Sequence, residues 1–230
     1  HGEPLPRPSD GHPIPEGEGN NVLSAVGKQD YTFVDTESKL EDMLKELSNV
    51  TELCVDTETT GLDPWQSELV GIGLCAQVGR AFYVPAKLAA GSEDLKKILA
   101  DNSIKKIGHN IKFDLEVLTA SHFPLTAIYF DTMIASYLLN AATRQHSLDG
   151  LAFNELGYQM QPIEELIGKG KNQITMDQVE PAKVSWYCCE DVDMTLRLKH
   201  LFAPKLAEDG LQKIFTEIEM PLAEVLCGME

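Results

Sequence analysis

A short apolar run that ends in two acids constrains this chain more than any other feature. Leu53-Cys54-Val55 passes directly into Asp56-Thr57-Glu58, and Thr59-Thr60-Gly61-Leu62 follows. β-Branched and apolar residues over so short a run predict a buried strand, Glu52 to Thr57. Side chains alternate across a strand, so Asp56 and Glu58 share one side with their backbones roughly 7 Å apart. Two carboxylates delivered that way can approach one cation together. The same spacing also fits a strand end whose acids are solvated and whose Gly61 makes the turn, so partners elsewhere must decide.

Two further segments offer such partners. Gly108-His109-Asn110-Ile111-Lys112-Phe113-Asp114 follows the strand-like run Lys105 to Gly108. If Asn110 opens a helix, Asp114 lies one turn on and shares its face. Taken alone, Asn110 is equally an N-cap and Asp114 a surface acid; His109 reads as a satisfied polar group. In Trp186 to Leu196, a helical pattern sets Tyr187 and Asp191 one turn apart, while Glu190 and Asp193 project elsewhere. An acidic helix surface beside core residues Val192, Leu196 and Leu198 is the plain alternative. Together, Asp56, Glu58, Asp114 and Asp191 make an all-oxygen ligand set that selects Mg²⁺ or Mn²⁺ over zinc. Two such ions roughly 3.5 to 4 Å apart would clamp the attacking and leaving oxygens of a phosphodiester.

Further strands are predicted over Tyr31 to Asp35, Leu69 to Ala76, Arg80 to Pro85 and Thr126 to Phe130. Helical patterns begin after Thr36, Ser92 and Asn110 and run over Thr132 to Leu139, Ser147 to Leu156, Ala182 to Phe202 and from Lys205 onward. Successive early strands, with Gly79-Arg80 in a turn between two of them, imply an antiparallel portion, and the later alternation implies parallel crossovers. The expected class is α/β: a mixed sheet of five to six strands flanked by helices. Residues 1–27, crowded with Pro and Gly, read as a flexible linker.

Five cysteines with no C-x-x-C spacing point to reduced thiols and a cytoplasmic setting. Cys54 and Cys75 read as small core residues, and the adjacent Cys188 and Cys189 cannot both face the same way. No apolar run approaches the roughly eighteen residues that a membrane span needs. With 19 basic against 36 acidic residues and a net charge of -17, the chain cannot hold a polyanion by overall charge. Dications held by the acids would reverse the field locally. Lys112, Arg144, Lys169 and Lys171 are candidate phosphate contacts, each also readable as a solvated surface residue.

The motifs VDTETTGLD (Val55 to Asp63), GHNIKFD (Gly108 to Asp114) and YCCED (Tyr187 to Asp191) resemble, in order and spacing, those of the 3′-to-5′ proofreading exonucleases, the tyrosine subclass of the DEDD superfamily. FDTMIASYLLN (Phe130 to Asn140), GKGKNQ (Gly168 to Gln173), EDVDMTLRL (Glu190 to Leu198) and IEMPLAEVL (Ile218 to Leu226) extend the likeness to bacterial DNA polymerase I, over Tyr31 to Glu230. The resemblance implies a ribonuclease H-like mixed sheet and two divalent metal ions. Asp56, Glu58 and Asp191 would hold the ion of the nucleophilic water, and Asp56 with Asp114 the ion that supports the leaving oxygen. Tyr187 and Glu58 would orient the water, Leu62 would wedge against terminal bases, Asn110 would contact the substrate strand, and Thr59 would meet the terminal nucleotide.

The same resemblance implies a substrate, the single-stranded 3′ end of DNA, and a product, deoxynucleoside 5′-monophosphate. It makes 28–204 the exonuclease domain and 205–230 the start of a helix leading to a polymerase domain of the same protein. The expected state is a monomer that works in the cytoplasm on the nucleoid, and both chain ends read as boundaries within a longer protein. Ile163 stands where the family offers an aromatic, and Phe113 and His109 where it often has tyrosine and glutamine. RNA-trimming exonucleases of the RNase D type share the same five residues, and a catalytically silent DNA-positioning domain is the rival of a different class. GKGKNQ and IEMPL favour DNA editing.

Overall fold

The run that ends in two acids lies at the centre of a sheet. In the computed structural model, which describes residues 26–229, β1 (Asp30–Phe33), β2 (Glu52–Thr59), β3 (Leu69–Gln77), β4 (Arg80–Pro85), β5 (Lys105–Gly108) and β6 (Ile128–Asp131) pair in the order β1-β4-β3-β2-β5-β6. β2, β3 and β4 pair antiparallel in succession, whereas β1 joins β4, and β5 and β6 extend from β2, in parallel. This is the expected mixed sheet. Most of the stretch read as a linker lies outside the described residues; Val26, at its end, is buried against Ala152, Met160 and Met194.

Strand bounds depart from expectation for local reasons. β1 stops at Phe33 because Thr36 caps the next helix, its Oγ1 accepting from the Lys39 N–H at 3.4 Å. β6 starts at Ile128 because Ala127 takes a positive φ of 55° and interrupts the extended run. β2 continues to Thr59, with a register shift against β3 between Glu58 and Thr59. A shift of this kind re-aims side chains where the strand leaves the sheet.

Ten α-helices surround the sheet among the described residues: α1 (Glu37–Leu47), α2 (Ala86–Ala90), α3 (Glu93–Ala100), α4 (Ile111–Ala120), α5 (Thr132–Leu139), α6 (Leu148–Leu156), α7 (Glu164–Ile167), α8 (Pro181–Glu208), α9 (Gln212–Ile214) and α10 (Met220–Cys227). α8 begins on Pro181, whose missing N–H costs nothing in a first turn. It buries Val184, Cys188, Val192, Leu196 and Phe202 in the main core. Gly73 permits that approach. It pairs with Asp56 across β2 and β3, and a Cβ there would lie 2.6 Å from Cys188 Sγ.

The helix expected from Lys205 onward is broken. α8 runs through Pro204 to Glu208, Gly210 turns the chain at a φ of +71°, and a π-helical turn (Phe215–Glu219) separates α9 from α10. The turn returns Phe215 to the core, where its ring lies 4.7 Å from that of Phe130. Burying a side chain of this size contributes about 2 to 3 kcal/mol.

Candidate active site

Packing α8 on β2 brings two strand carboxylates up to one helix thiol. Ligand atoms of Asp56, Glu58 and Cys188 lie within 4.8 Å of one another, and Cys188 Sγ donates to Asp56 Oδ2 at 3.7 Å. A thiol that sequence reasoning did not place there stands beside the expected oxygen ligands. The sulfur reaches them from 132 residues away in sequence, through a tertiary contact that local pattern does not encode.

The acids differ in how they are held. Asp56 and Asp191 are half-buried, and Glu58 and Asp114 are buried. Thr57 donates both its N–H, at 2.9 Å, and its hydroxyl, at 2.7 Å, to Asp114 Oδ1. Glu58 is 6% exposed, and its Oε1 has no hydrogen-bond partner among the described residues. Tyr187 and Asp191, one turn apart on α8, form part of the wall of a cavity of about 300 Å³ that Leu148, Asp149 and Ile163 also line.

Burial pushes the Asp56 carboxyl up to about 7, with the Cys188 thiol pulling weakly the other way. Glu58, Asp114 and Asp191 are each held well above the ordinary carboxylate range, first by burial and then by the charge of Asp56. Desolvation and mutual repulsion both oppose ionisation, and a bound cation reverses both. A buried carboxylate oxygen with no donor, such as Glu58 Oε1, costs on the order of 1 to 3 kcal/mol or more until something binds it. Asp56 and Glu58 therefore fit a divalent cation; Asp114 and Asp191 act on them through their charge but lie outside the group whose ligand atoms approach within 4.8 Å.

Residues 31–207 match the sequence profile of the 3′-5′ exonuclease family. The chain belongs to that family. It is 34% identical over 228 residues to DNA polymerase I of Pseudomonas aeruginosa, covering 93% of this chain and 25% of that protein. DNA polymerase I of Chloroflexus aurantiacus is 34% identical over 225 residues, with 93% and 24% covered. The chain thus spans about a quarter of the length of these curated relatives. Among solved structures, Brucella melitensis NrnC with bound Mg²⁺ is 27% identical with a TM-score of 0.58, over 78% of this chain and 81% of that one. Escherichia coli RNase D shares the fold, with a TM-score of 0.70 at 18% identity over 86% of this chain and 51% of its own. The sheet of this exonuclease is accordingly ribonuclease H-like, as the motifs implied.

Leu62, just past β2, is 94% exposed, and Thr59 Oγ1 donates to the Gly61 carbonyl at 2.7 Å, closing the turn beneath it. Asn110 sits at the N-cap of α4 in the left-handed region, φ 60° and ψ 45°, and its side chain makes no capping bond. The amide is therefore not used as the cap that one reading gave it. His109 is structural, its Nδ1 2.9 Å from Thr132 Oγ1. Burial lowers its ring to about 4, so it is neutral at pH 7. Lys112 pairs with the buried Glu116 at 2.9 Å, whereas Arg144, Lys169 and Lys171 are exposed.

Capping falls to Asp131, which sequence reasoning missed. Its carboxylate accepts from the Asn110 and Ile111 N–H groups at 3.2 and 2.8 Å and from those of Met133 and Ile134 at 2.8 and 3.1 Å. One buried acid thereby fixes the starts of both α4 and α5, including the backbone of Asn110. An Asp directly before a helical run is a recognisable N-cap for α5; nothing local shows that it serves α4 as well. Asp131→Ala is expected to lower stability by about 2 to 4 kcal/mol, the loss of two caps at once. An unfolding free energy from urea denaturation that fell by less than half of that would show water replacing the carboxylate.

Glu190 and Asp193 point away from the cluster, as their helical phase predicted. Glu190 accepts from the Tyr158 hydroxyl at 2.7 Å and the Gln161 N–H at 2.8 Å, tying the loop before Ile163 to α8 beside Asp191. Asp193 accepts from the Tyr31 hydroxyl at 2.9 Å and the Gly79 N–H at 2.8 Å, pinning α8 to β1 and the β3-β4 turn. Among the described residues, no helix is long and apolar enough to cross a membrane.

Proposed function

We propose that this chain is the editing exonuclease of a DNA polymerase I, removing nucleotides from the single-stranded 3′ end of DNA as deoxynucleoside 5′-monophosphates. The observation that carries the reading is the pair Asp56 and Glu58 on β2, with Asp114 of α4 and Asp191 of α8 near enough for their charges to act on it, and with an oxygen of Glu58 that has no hydrogen-bond partner among the described residues. Likeness to DNA polymerase I over most of the chain supports DNA as the substrate and a polymerase domain of the same protein as the partner.

Asp56, Glu58 and Asp191 would hold one Mg²⁺ or Mn²⁺, and Asp56 with Asp114 a second. Bound ions would activate the attacking water and stabilise the leaving 3′ oxygen as a Lewis acid does. Burial and the neighbouring acids push the Tyr187 phenol far above its ordinary value, so it stays protonated and cannot act as a base. What it offers is a hydrogen bond that orients water, with Glu58 as the other partner. Leu62 has the exposure of a wedge, and Thr59, next to Glu58 in the chain, and Asn110, at the start of the helix that carries Asp114, would contact the terminal nucleotides.

Mononucleotide release from a 3′-labelled single strand with Mg²⁺ tests the reading, with RNA of the same sequence as the competitor. DNA is expected to be the better substrate; a clear preference for RNA would assign the site to RNA trimming. Tyr187→Phe should slow hydrolysis by roughly 10²-fold, within the range that positioned proton-handling groups supply, while Mn²⁺ affinity is retained. Equal rates would make the tyrosine a packing residue.

A further inference from the structure

Mg²⁺ chemistry makes no use of the thiol that reaches this cluster. Sulfur is a soft donor that Mg²⁺ disfavours and Zn²⁺ or Co²⁺ accepts. The sulfur is also fixed in place. Cys188 is fully buried, and its Sγ fills the notch above Gly73, where a Cβ would come within 2.6 Å of it. It stands 3.7 Å from Asp56 Oδ2, and Glu58, nine-tenths buried with an unpaired Oε1, completes the group. Asp56 is only half-buried, which leaves this set of donors one side that faces solvent.

We propose that Asp56, Glu58 and Cys188 form a three-ligand site for a thiophilic divalent cation of the Zn²⁺ and Co²⁺ class, and that filling it excludes Mg²⁺. Bonds of about 2.3 Å to sulfur and 2.0 to 2.2 Å to carboxylate oxygen require the donors to contract from their present spacing around one ion, within reach of carboxylate rotation. As the metal–sulfur bond forms, the thiol proton passes to solvent and no electron moves. A water completes four-coordination. Because Asp56 and Glu58 serve both modes, the two classes of ion compete. The site does not depend on the proposed reaction, since it rests only on where three side chains lie.

Titration of the metal-free chain with Co²⁺ alone tests it. The expected result is a thiolate-to-cobalt charge-transfer absorption in the near ultraviolet that saturates at one equivalent, is discharged by Zn²⁺, and is missing in Cys188→Ser. Calorimetry should show Zn²⁺ affinity falling by at least roughly a hundredfold in Cys188→Ser, more than an outer-shell change costs. Mn²⁺, which prefers carboxylates, should still bind within about threefold, and that binding also reports that the variant is folded. Cys188→Ala serves if serine disturbs the packing at Gly73. No thiolate band in the unaltered chain, a band that persists without Cys188, or Zn²⁺ affinity indifferent to the thiol would each overturn the site.

Discussion

Asp56→Asn is expected to abolish hydrolysis and, in the same protein, to raise the stability of the metal-free fold. The two effects have one cause. Asp56 is shared by both proposed ion sites, and each ion supplies several kcal/mol of stabilisation to the developing charge. Losing about 4 kcal/mol of it slows the reaction roughly a thousandfold. Without metal, however, the same carboxylate is a burden, because burial raises it to about 7 from an ordinary 3.8. At pH 8 the folded chain must ionise it in place. Asparagine keeps the shape and an acceptor for the Cys188 thiol but carries no charge. The full shift is on the order of 4 kcal/mol; Asp56 is half-buried, so solvent screening reduces the gain to about 1 to 3 kcal/mol. Single-turnover release of mononucleotide and thermal melting in EDTA at pH 8 read the two effects. Activity within tenfold of the parent would remove Asp56 from the metal site, and a lower melting temperature would show that its charge is compensated by something other than a cation.

That pairing of effects bears on what the sequence could disclose. Asp56 and Glu58 were legible because period-two alternation is a property of one short segment, and Tyr187 with Asp191 because period 3.6 is too. The mixed sheet followed from the succession of strands and turns. Cys188 was not legible: its helical phase puts it in the core, and only the seating of α8 over Gly73 brings its sulfur to the acids. Asp131 was half legible, as the cap of the helix that follows it but not of the one before. The helical pattern expected to end at Phe202 continues through Pro204 to Glu208 because Phe202 and Leu206 are both buried in the core, and tertiary packing outweighs the local penalty. In each case the missing information is long-range packing, which no window of local pattern contains.

Net charge raised the opposite problem, since -17 argues against DNA until the position of the acids is known. Part of that excess is concentrated where cations would neutralise it, whereas surface acids such as Asp35 and Asp94 are already offset by Lys39 and Lys97 and add nothing to it. Exposed pairs of this kind contribute little to stability.

The metal-free chain should lose stability as pH rises from about 5 to 8, and Mg²⁺ or Mn²⁺ should restore it by more at the higher pH. The sign follows from the acids. Asp56 is raised to about 7, and Glu58, Asp114 and Asp191 are raised well above their ordinary range. Between the unfolded and folded values, the folded state holds protons that the unfolded state has released, so stability is present below the ordinary carboxylate range and drains away as pH climbs through the folded values. Asp35 and Asp101, lowered by Lys39 and Ser103, act in the opposite sense, but their window lies below about pH 4. A cation bound only by the folded, ionised site adds roughly 2.7 kcal/mol at a hundred times its dissociation constant. For a domain of this size, that is several degrees in melting temperature. Protonated acids cannot take the cation at pH 5, so the stabilisation by metal must grow with pH as the stability of the metal-free chain falls. Melting curves at pH 5.5, 7 and 8.5, in EDTA and in Mn²⁺, should therefore diverge. Parallel curves would mean that these carboxylates are already ionised and satisfied by the protein, which the unpaired oxygen of Glu58 argues against.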